Sequence, residues 1–460
     1  MFVCPWVDSI AMRRLRALLS ISLALTFLTP SPTATADPAI PVIRNPGSPS
    51  YVVSLRGDAL GHVWRGEESI TFTNLEAEPL ATIWLRLWSN GVVGCDPQAI
   101  AVAGMHGGTP GDLSHRCTAL PIDLDTPVAQ GAEATISMRV TIDLPRKNDR
   151  FGYHGGLALM GTALPTLAVH DDLGWHLDPF VDLGESFYSI VGDYRVTLNV
   201  PRTLRTPASG VAVATQTDGG RRVTMYVAHD VRDFEWAAAR LATVRGRSGG
   251  TEVVVSYRPL DLTRRAAKTA LGYSVASLDA YSAGFGTFPY PEMDVVLTSF
   301  AAFGGMEYPT IIFTNPDKIT ISHELGHQYW YGIVGDDQFS SPWLDESFAT
   351  WTSYLPFGAW KKCASYRWPS NGARITNDMG YWKAYPAEYD TIYSGGGCLL
   401  ANLADTFGMA RFVEILHDYA QAHWFGVTRT EDFKAAIEAA ALADGLAFDP
   451  ATYWDHWRVD

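Results

Sequence analysis

The chain has 460 residues, enough for two or three domains. Hydrophobic residues make up 47% of it and charged residues only 18%, which excludes an intrinsically disordered chain and indicates a globular protein. The formal net charge of −14 argues against nucleic acid as a partner, because binding phosphates requires clusters of Lys and Arg.

The N-terminus has the three parts of a secretory signal peptide. A cluster of Arg at 13–16 precedes an apolar run at 17–28, which is too short to cross a bilayer, and Ala-Thr-Ala at 34–36 matches a cleavage site. We therefore expect residues 1–36 to be a signal peptide and the mature protein to be secreted, periplasmic or held at the cell surface. Translation from Met12 is an alternative to the first Met. No later stretch has the length and hydrophobicity of a membrane span.

The next part of the chain shows the alternating pattern of β-strands. Apolar and polar side chains alternate in segments that Gly, Asn, Asp and Pro separate, and these segments are 51–56, 69–73, 83–88, 134–140 and 194–200. We predict that residues 37–247 form an N-terminal β domain, either a β-sandwich or a saddle-like sheet.

Four cysteines follow the predicted cleavage site. Four Cys allow three pairings, and export permits disulfides. We favour the local pairs Cys95–Cys117 and Cys363–Cys398, one in each predicted domain, with buried free thiols as the alternative. None of these residues has the C-x-x-C spacing of a zinc site.

The pattern changes near residue 250, where helices become frequent. Strands are predicted at 253–257, 294–297 and 310–313, and helices at 262–285, 320–331, 396–407, 410–422 and 431–443. Gly332 and Gly335 are expected to end the second helix, and Ser341 and Pro342 to begin another as its N-cap and first residue. Residues 248–460 are thus predicted to be an α+β domain, so that the whole chain is a multidomain protein, β first and then α+β.

The helix predicted at 320–331 carries the motif H-E-x-x-H. Because His323 and His327 are four residues apart, they share one helix face and can reach a single metal ion. Glu324 can accept a proton from a bound water, and Glu346, nineteen residues after His327, can supply a third ligand. Three protein ligands leave one position open, as in catalytic zinc sites. The alternative to a metal site is an exposed helix with scattered His and Glu. A metzincin is excluded, because Ile333 occupies the position of its third His.

Three segments together resemble the alanyl-aminopeptidase family of zinc peptidases, which are gluzincins. They are Gly304-Gly305-Met306-Glu307, the H-E-x-x-H motif and Trp343-Leu344-Asp345-Glu346. The resemblance implies a β-saddle domain followed by a thermolysin-like, mostly helical zinc catalytic domain. It also implies one Zn²⁺ per chain, held by His323, His327 and Glu346, with Glu324 as the catalytic base.

The resemblance further implies residues that bind a peptide with a free N-terminus. Glu307 would bind the α-ammonium group, with an exposed strand carboxylate as the alternative. Gly304, Gly305 and Met306 would offer a strand edge along which the peptide lies. Tyr393 would be catalytic by hydrogen bonding to the developing oxyanion. Tyr389 is its competitor, and a Gly replaces the family's Lys after Tyr393.

The chain also departs from the family pattern. The usual Asn after the amine-binding Glu is Tyr308, so we expect a differently built amine site, to which Glu185 could contribute. Because the chain ends at Asp460, we expect a short member without the C-terminal helical domain. Its cleft would then be more open, or would be closed by a partner.

Two further groups have open interpretations. Asp345, next to the ligand Glu346, either supports a zinc-binding His or is an exposed helix carboxylate. His170 and His176 flank an acidic turn, where a second metal site is the alternative to ordinary surface histidines.

We expect an exported zinc aminopeptidase. The alternatives are a zinc endopeptidase or an epoxide hydrolase of the same family, and a non-catalytic extracellular binding protein with a vestigial zinc site. The presence of Glu324 beside all three ligands argues against the binding protein, which would not need a general base.

Overall fold

The computed structural model describes residues 42–358 and 362–460, and residues 42–460 cluster as one unit. The predicted signal peptide, residues 1–36, and the alternative start at Met12 lie outside the described residues. Among the described helices, none combines the length and the hydrophobicity that crossing a bilayer requires.

Strands fill the first half of the described chain and recur before the helices of the second half. In chain order they are β1 (Gly47–Gly57), β2 (Val63–Thr73), β3 (Leu80–Arg86), β4 (Ile100–His106), β5 (Gly108–Pro110), β6 (Ala119–Val128), β7 (Glu133–Asp143), β8 (Phe151–His154), β9 (Leu157–Met160), β10 (Thr166–Leu167), β11 (His170–Asp171), β12 (Gly174–Trp175), β13 (Gly192–Pro201), β14 (Val211–Asp218), β15 (Arg221–Val231), β16 (Trp236–Ala239), β17 (Ala242–Ser248), β18 (Thr251–Tyr257), β19 (Glu292–Leu297), β20 (Gly305–Met306) and β21 (Ile311–Thr314).

Two larger sheets dominate the first half. A seven-stranded sheet has the order β14-β15-β13-β1-β2-β7-β4, in which only β1 and β13 pair in parallel, and a four-stranded sheet has the order β10-β3-β6-β5. Every second residue of β1 is buried, because successive side chains of a strand point to opposite faces. Val53 and Ile136 of the larger sheet belong to the same apolar core as Ile83 and Ile122 of the smaller one. The prediction of a β-rich first half is confirmed, whereas its form as a sandwich or saddle stays a prediction.

Helices make up most of the second half. In chain order the α-helices are α1 (Asn90–Val93), α2 (Arg264–Phe285), α3 (Lys318–Gly326), α4 (Trp343–Thr352), α5 (Met379–Ala384), α6 (Gly396–Phe407), α7 (Met409–Ala422), α8 (Thr430–Ala443) and α9 (Pro450–His456). Short 3₁₀ turns lie at Lys362–Ser365 and Pro386–Glu388, and a π-helical turn lies at Thr391–Gly395. Helices α2, α6, α7 and α8 begin and end within two residues of their predicted bounds.

A five-stranded sheet accompanies these helices, with the order β17-β18-β19-β21-β20. Its three central strands are parallel, and the two outer ones pair antiparallel. Because β17 ends at Ser248 and pairs with β18, the sheet extends across the predicted boundary between 247 and 248, and that division stays a prediction. Strand β20 is at the edge, where Gly305 pairs with Thr314 and Met306 with Phe313.

The metal-motif helix ends earlier than predicted. Helix α3 stops at Gly326 rather than near residue 331. After it, the amides of Gln328 and Tyr329 bind carbonyls three residues back and those of Gly332 and Ile333 bind carbonyls five residues back, so the regular helical spacing is lost. A Cβ at Gly332 would lie 2.8 Å from the Gln328 carbonyl oxygen, so the glycine permits this winding.

The predicted capping of the next helix is also wrong. Helix α4 begins at Trp343 with Pro342 in the N-cap position, and no side chain caps it. The Ser341 carbonyl accepts a bond from the Leu344 amide, so this residue contributes its backbone rather than its hydroxyl.

Both favoured disulfides are formed, which excludes the alternative of free thiols. The Cα atoms of Cys95 and Cys117 are 5.5 Å apart, and those of Cys363 and Cys398 are 5.3 Å apart. The second bridge joins the 3₁₀ turn at Lys362–Ser365 to α6.

Candidate metal and peptide site

Helix α3 is held in place at its N-terminus and along its buried face. The Asp317 side chain caps its N-terminus by accepting a bond from the Thr320 amide at 3.0 Å. On the buried side, the Tyr281 hydroxyl of α2 donates to the Ser322 carbonyl at 2.7 Å, and the Ser277 and Ser322 hydroxyls lie 2.9 Å apart. These contacts fix the helix, whose next two residues, His323 and Glu324, line an open cleft.

The three predicted metal ligands converge on one point. His323 Nε2 lies 3.0 Å from His327 Nε2 and 3.1 Å from Glu346 Oε2, and His327 Nε2 lies 3.5 Å from the same oxygen. Tetrahedral zinc with bonds of about 2.0–2.1 Å would hold its ligand atoms roughly 3.3 Å apart. The donor set and its spacing therefore fit a zinc ion.

The tautomer of His327 supports the same conclusion. Its Nδ1 contacts Asp345 Oδ1, and this carboxylate favours the tautomer with the proton on Nδ1, which leaves the Nε2 lone pair facing the other candidate ligands. Asp345 is 0% exposed, and its second oxygen accepts a bond from Gln338 Nε2 at 2.5 Å. The alternative of an exposed helix carboxylate at Asp345 is therefore wrong.

Glu346 divides its two carboxylate oxygens between the histidines and a tyrosine. Oε2 faces His323 and His327, whereas Oε1 accepts a bond from the Tyr393 hydroxyl at 2.6 Å. Although burial raises the pKa of Glu346, its contacts with His323 and His327 outweigh burial and hold that pKa well below its usual range. Glu346 is therefore a carboxylate, as a metal ligand must be.

Tyr393, rather than Tyr389, reaches this group. Tyr393 lies on the π-helical turn before α6, and its ring centroid is 6.0 Å from that of His323. Tyr389 packs edge to face on Tyr393, and its buried hydroxyl has no hydrogen-bond partner among the described residues.

Glu324 lies against the bare backbone of β20. It is only 3% exposed, and a Cβ added at Gly305 would overlap its carboxylate. Glycine at this position therefore leaves the space that the carboxylate occupies. Burial raises the pKa of Glu324 well above its usual range, and the neighbouring His327 opposes that rise.

Two more carboxylates line the same cleft. Glu307, which follows β20, is only 3% exposed, so its interpretation as an exposed strand residue is wrong. Glu185 comes from the β-rich half and accepts a bond from Arg150 Nη1 at 2.7 Å. Burial raises the pKa of Glu185 to about 7 although Arg150 opposes this, and burial together with Glu185 raises that of Glu307 well above its usual range.

The cleft has a volume of about 700 Å³ and brings most of the predicted residues together. Its lining includes Gly304, Gly305, Glu307, Glu324, Tyr393 and the three candidate ligands. The side chains of Met306 and Tyr308 instead pack with Phe313 in a buried apolar cluster. Met306 thus contributes backbone to the strand edge, and Tyr308 is directed away from the cleft.

Three polar residues of the site were missed by reasoning from the sequence. Arg150 pairs with Glu185, Gln338 contacts Asp345, and Gln328 donates to the Glu307 and Tyr308 carbonyls at 3.1 and 3.0 Å. For Gln328, its position directly after a candidate metal-binding His is a weak sequence signal of a role in the site. The roles of Arg150 and Gln338 depend on contacts between distant segments, which no local pattern encodes.

The histidines considered for a second metal site have other partners. His170 Nδ1 lies 2.5 Å from Glu76 Oε1. His176 binds Asp337 through Nδ1 at 3.1 Å and Asp171 through Nε2 at 2.9 Å. Asp178 and Asp337 also lie close to His176, but engagement of both ring nitrogens by carboxylates is the arrangement of an imidazolium rather than of a metal ligand.

Comparisons with known proteins match the part of the chain that holds the candidate ligands. Residues 269–457 match the family described as "Peptidase family M1 domain". "Aminopeptidase M1-B" of Oryza sativa subsp. japonica is 28% identical over 204 residues, which cover 37% of this chain and 23% of that protein. "Aminopeptidase M1" of Arabidopsis thaliana is 27% identical over 207 residues, which cover 38% of this chain and 24% of that protein.

A fungal protein is similar to the same degree. "Aminopeptidase 2" of Candida albicans is 27% identical over 191 residues, which cover 34% of this chain and 21% of that protein. The chain thus spans at most about a quarter of the length of these curated relatives in the matched region.

Proposed function

As a member of peptidase family M1 through its residues 269–457, this chain is, we propose, an exported zinc aminopeptidase that removes N-terminal residues from peptides. The observation that carries this proposal is the composition of one cleft. It combines a metal-ligand trio, the buried carboxylate of Glu324 and two further carboxylates, Glu307 and Glu185, which can bind an amine.

The ligand trio supports zinc as the cofactor. His323, His327 and Glu346 would hold it, and Asp345 would keep His327 in the tautomer that leaves Nε2 free to bind. When bound there, zinc supplies a Lewis acid that polarises a carbonyl and makes water more acidic.

The neighbouring side chains support peptide hydrolysis. Glu324 would accept a proton from the attacking water and then deliver it to the departing amine, which is a general-base and general-acid role. The Tyr393 hydroxyl, now bonded to Glu346, would donate to the oxygen on which negative charge develops. The edge strand β20, with Gly305 at its start, would pair with the backbone of the substrate.

The two additional carboxylates support an exopeptidase. Buried carboxylates are stable when they face a positive group, and Glu185 already has Arg150 as one partner. The α-ammonium group of a peptide would give Glu307 its cationic partner. An internal peptide segment has no such charge, so this site favours chain ends.

Two disulfides support export. Cys95–Cys117 and Cys363–Cys398 are both formed, and such bonds persist in oxidising compartments rather than in the cytosol. We therefore propose that the protein is exported from the cytosol.

Digestion of paired peptides tests the proposed function. The zinc-loaded protein would be incubated with free and N-acetylated forms of the same peptides, and the products identified by mass. We expect stepwise loss of N-terminal residues from the free forms only. Internal cleavage of both forms would indicate an endopeptidase, and no cleavage would reject a peptidase.

A Glu324→Gln variant is the control, because it should keep zinc but lose turnover. Cleavage by this variant at the wild-type rate would remove Glu324 from the mechanism.

A further inference from the structure

We propose that Gln338 is a positioning residue that connects the metal-binding His327 to the amine-binding Glu307. The role of Glu307 in this inference rests on the proposed aminopeptidase function. The connection to His327 depends only on the ligand geometry.

The side-chain amide of Gln338 touches both sides of the site. Its Nε2 lies 2.5 Å from Asp345 Oδ2 and 3.4 Å from Glu307 Oε1. An amide nitrogen carries two hydrogens, so one can be donated to each carboxylate. The reverse orientation would place the amide oxygen against both carboxylates, so the chemistry of the neighbours determines which end faces them.

Gln338 is also held in place by its own backbone. Its amide donates to the Phe187 carbonyl at 3.1 Å, and the side chain is only 1% exposed. Phe187 follows Glu185 by two residues in the β-rich half. The bridge is therefore anchored to the same segment that supplies the second carboxylate of the cleft.

The two carboxylates that Gln338 contacts have different positions and different neighbours in the site. Asp345 does not line the cleft, and its other oxygen contacts His327 Nδ1. Glu307 lines the cleft, where a substrate amine would bind. A neutral double donor can orient both anions and separate their charges, whereas an apolar side chain of equal size would leave both without this donor.

Contacts of this kind affect metal affinity as well as geometry. Residues that hydrogen bond directly to a metal-binding His commonly change metal affinity by about 10- to 100-fold when they are replaced. Gln338 is one step further away, because it acts on Asp345 rather than on His327 directly. We therefore expect an effect near the lower end of that range.

The experiment compares Gln338→Met with the wild type, because Met has nearly the same length and volume but no donor. Zinc affinity would be measured by competition with a chromophoric chelator. KM and kcat would be measured with a free-amine peptide at saturating zinc. We expect zinc to bind about tenfold more weakly and KM to rise about tenfold, with a smaller change in kcat.

Two controls separate positioning from a general loss of structure. Gln216→Met, at an exposed position of β14, should change neither zinc affinity nor KM. Urea unfolding of each apo protein would identify a variant that fails to fold. If Gln338→Met fails to fold, Gln338→Asn is measured in its place. This shorter amide cannot reach both carboxylates, so it should weaken zinc binding or raise KM.

A double-mutant cycle provides the decisive measurement. If Gln338 acts through Asp345, Gln338→Met should change zinc affinity by less than about twofold in an Asp345→Asn background. Equal losses in both backgrounds, or unchanged zinc affinity in the single variant, would overturn the connection to His327. Unchanged KM with weakened zinc binding would overturn the connection to Glu307.

The zinc measurements need no turnover, so they test Gln338 even if the wild type cleaves no peptide. A wild type without aminopeptidase activity would reject the proposed function, whereas the zinc affinities would still support or reject the role of Gln338.

Discussion

The Tyr393 hydroxyl lies 2.6 Å from Glu346 Oε1, on the side of the carboxylate opposite the oxygen that faces His323 and His327. The carboxylate of this candidate metal ligand is thus held between two imidazoles and a phenol. Burial raises the pKa of Tyr393 well above its usual range, and the negative charge of Glu346 adds to this. The phenol therefore remains a hydrogen-bond donor throughout the neutral pH range.

This relationship predicts the effect of Tyr393→Phe. Loss of a donor to the developing oxyanion should lower kcat by roughly 10²- to 10³-fold. KM should change little, because the ground-state peptide does not carry that charge. Steady-state kinetics with a free-amine peptide, at measured zinc content, would check this. Tyr389→Phe is the matched control, and an equal loss of kcat in both variants would contradict the assignment.

A second prediction concerns Glu307. Glu307→Gln keeps the size of the side chain but removes its charge, so the α-ammonium group loses a charge-assisted bond. We expect kcat/KM for free-amine peptides to fall by about 10- to 100-fold, at roughly 1.4 kcal/mol per factor of ten. Glu133→Gln, at an exposed position of β7, should leave kcat/KM unchanged. Activity like that of the wild type on free-amine peptides would remove Glu307 from substrate binding.

A third prediction concerns the space beside Glu324, the proposed catalytic base. Gly305→Ala places a methyl group where the Glu324 carboxylate now lies, so the carboxylate must move. Because a displacement of about 1 Å can cost 10²-fold in rate, we expect kcat to fall by at least about tenfold while zinc affinity stays unchanged. Gly250→Ala, whose added methyl would have open space, is the control. Full activity in Gly305→Ala would indicate that Glu324 does not act from this position.

Local patterns in the sequence predicted the elements well where one periodicity governs a segment. Helices α6 to α8 have apolar residues at helical spacing, and their bounds agree with the predicted ones within one residue. The end of α3 was predicted wrongly, because the irregular turns after Gly326 still bury apolar residues such as Trp330. Helical periodicity cannot distinguish those turns from a regular helix.

The grouping of the candidate ligands was predictable from the sequence, but the residues that surround them were not. His323, Glu324 and His327 are close in sequence, so a helix brings them together without further information. The burial of Glu307 and the contact between Asp345 and His327 arise where distant segments meet. Gln338 has no motif at all, and only the fold places it between the two carboxylates.

One ion-pair network joins the β-rich half to the segment before α4. His176 of the β-rich half lies between Asp171 and Asp337, and its ring packs edge to face on Tyr188. Arg429 also binds Asp171. Burial lowers the pKa of His176, but the hydrogen bonds to Asp337 and Asp171 outweigh burial and raise it to about 9. Asp337, one of the two carboxylates of this network, directly precedes Gln338 in the chain.

The network predicts how stability depends on pH. Since the folded-state pKa of His176 is above the unfolded value of about 6.5, its contribution is complete below pH 6.5 and is lost as pH rises through about 9. His176→Gln should therefore lower the free energy of unfolding by about 1–2 kcal/mol at pH 6, allowing for screening by solvent. The difference from the wild type should shrink at pH 9.5. Urea unfolding at both pH values would check this, with His106→Gln at an exposed position of β4 as the control. An equal difference at both pH values would show that the ring is not charged in the folded protein.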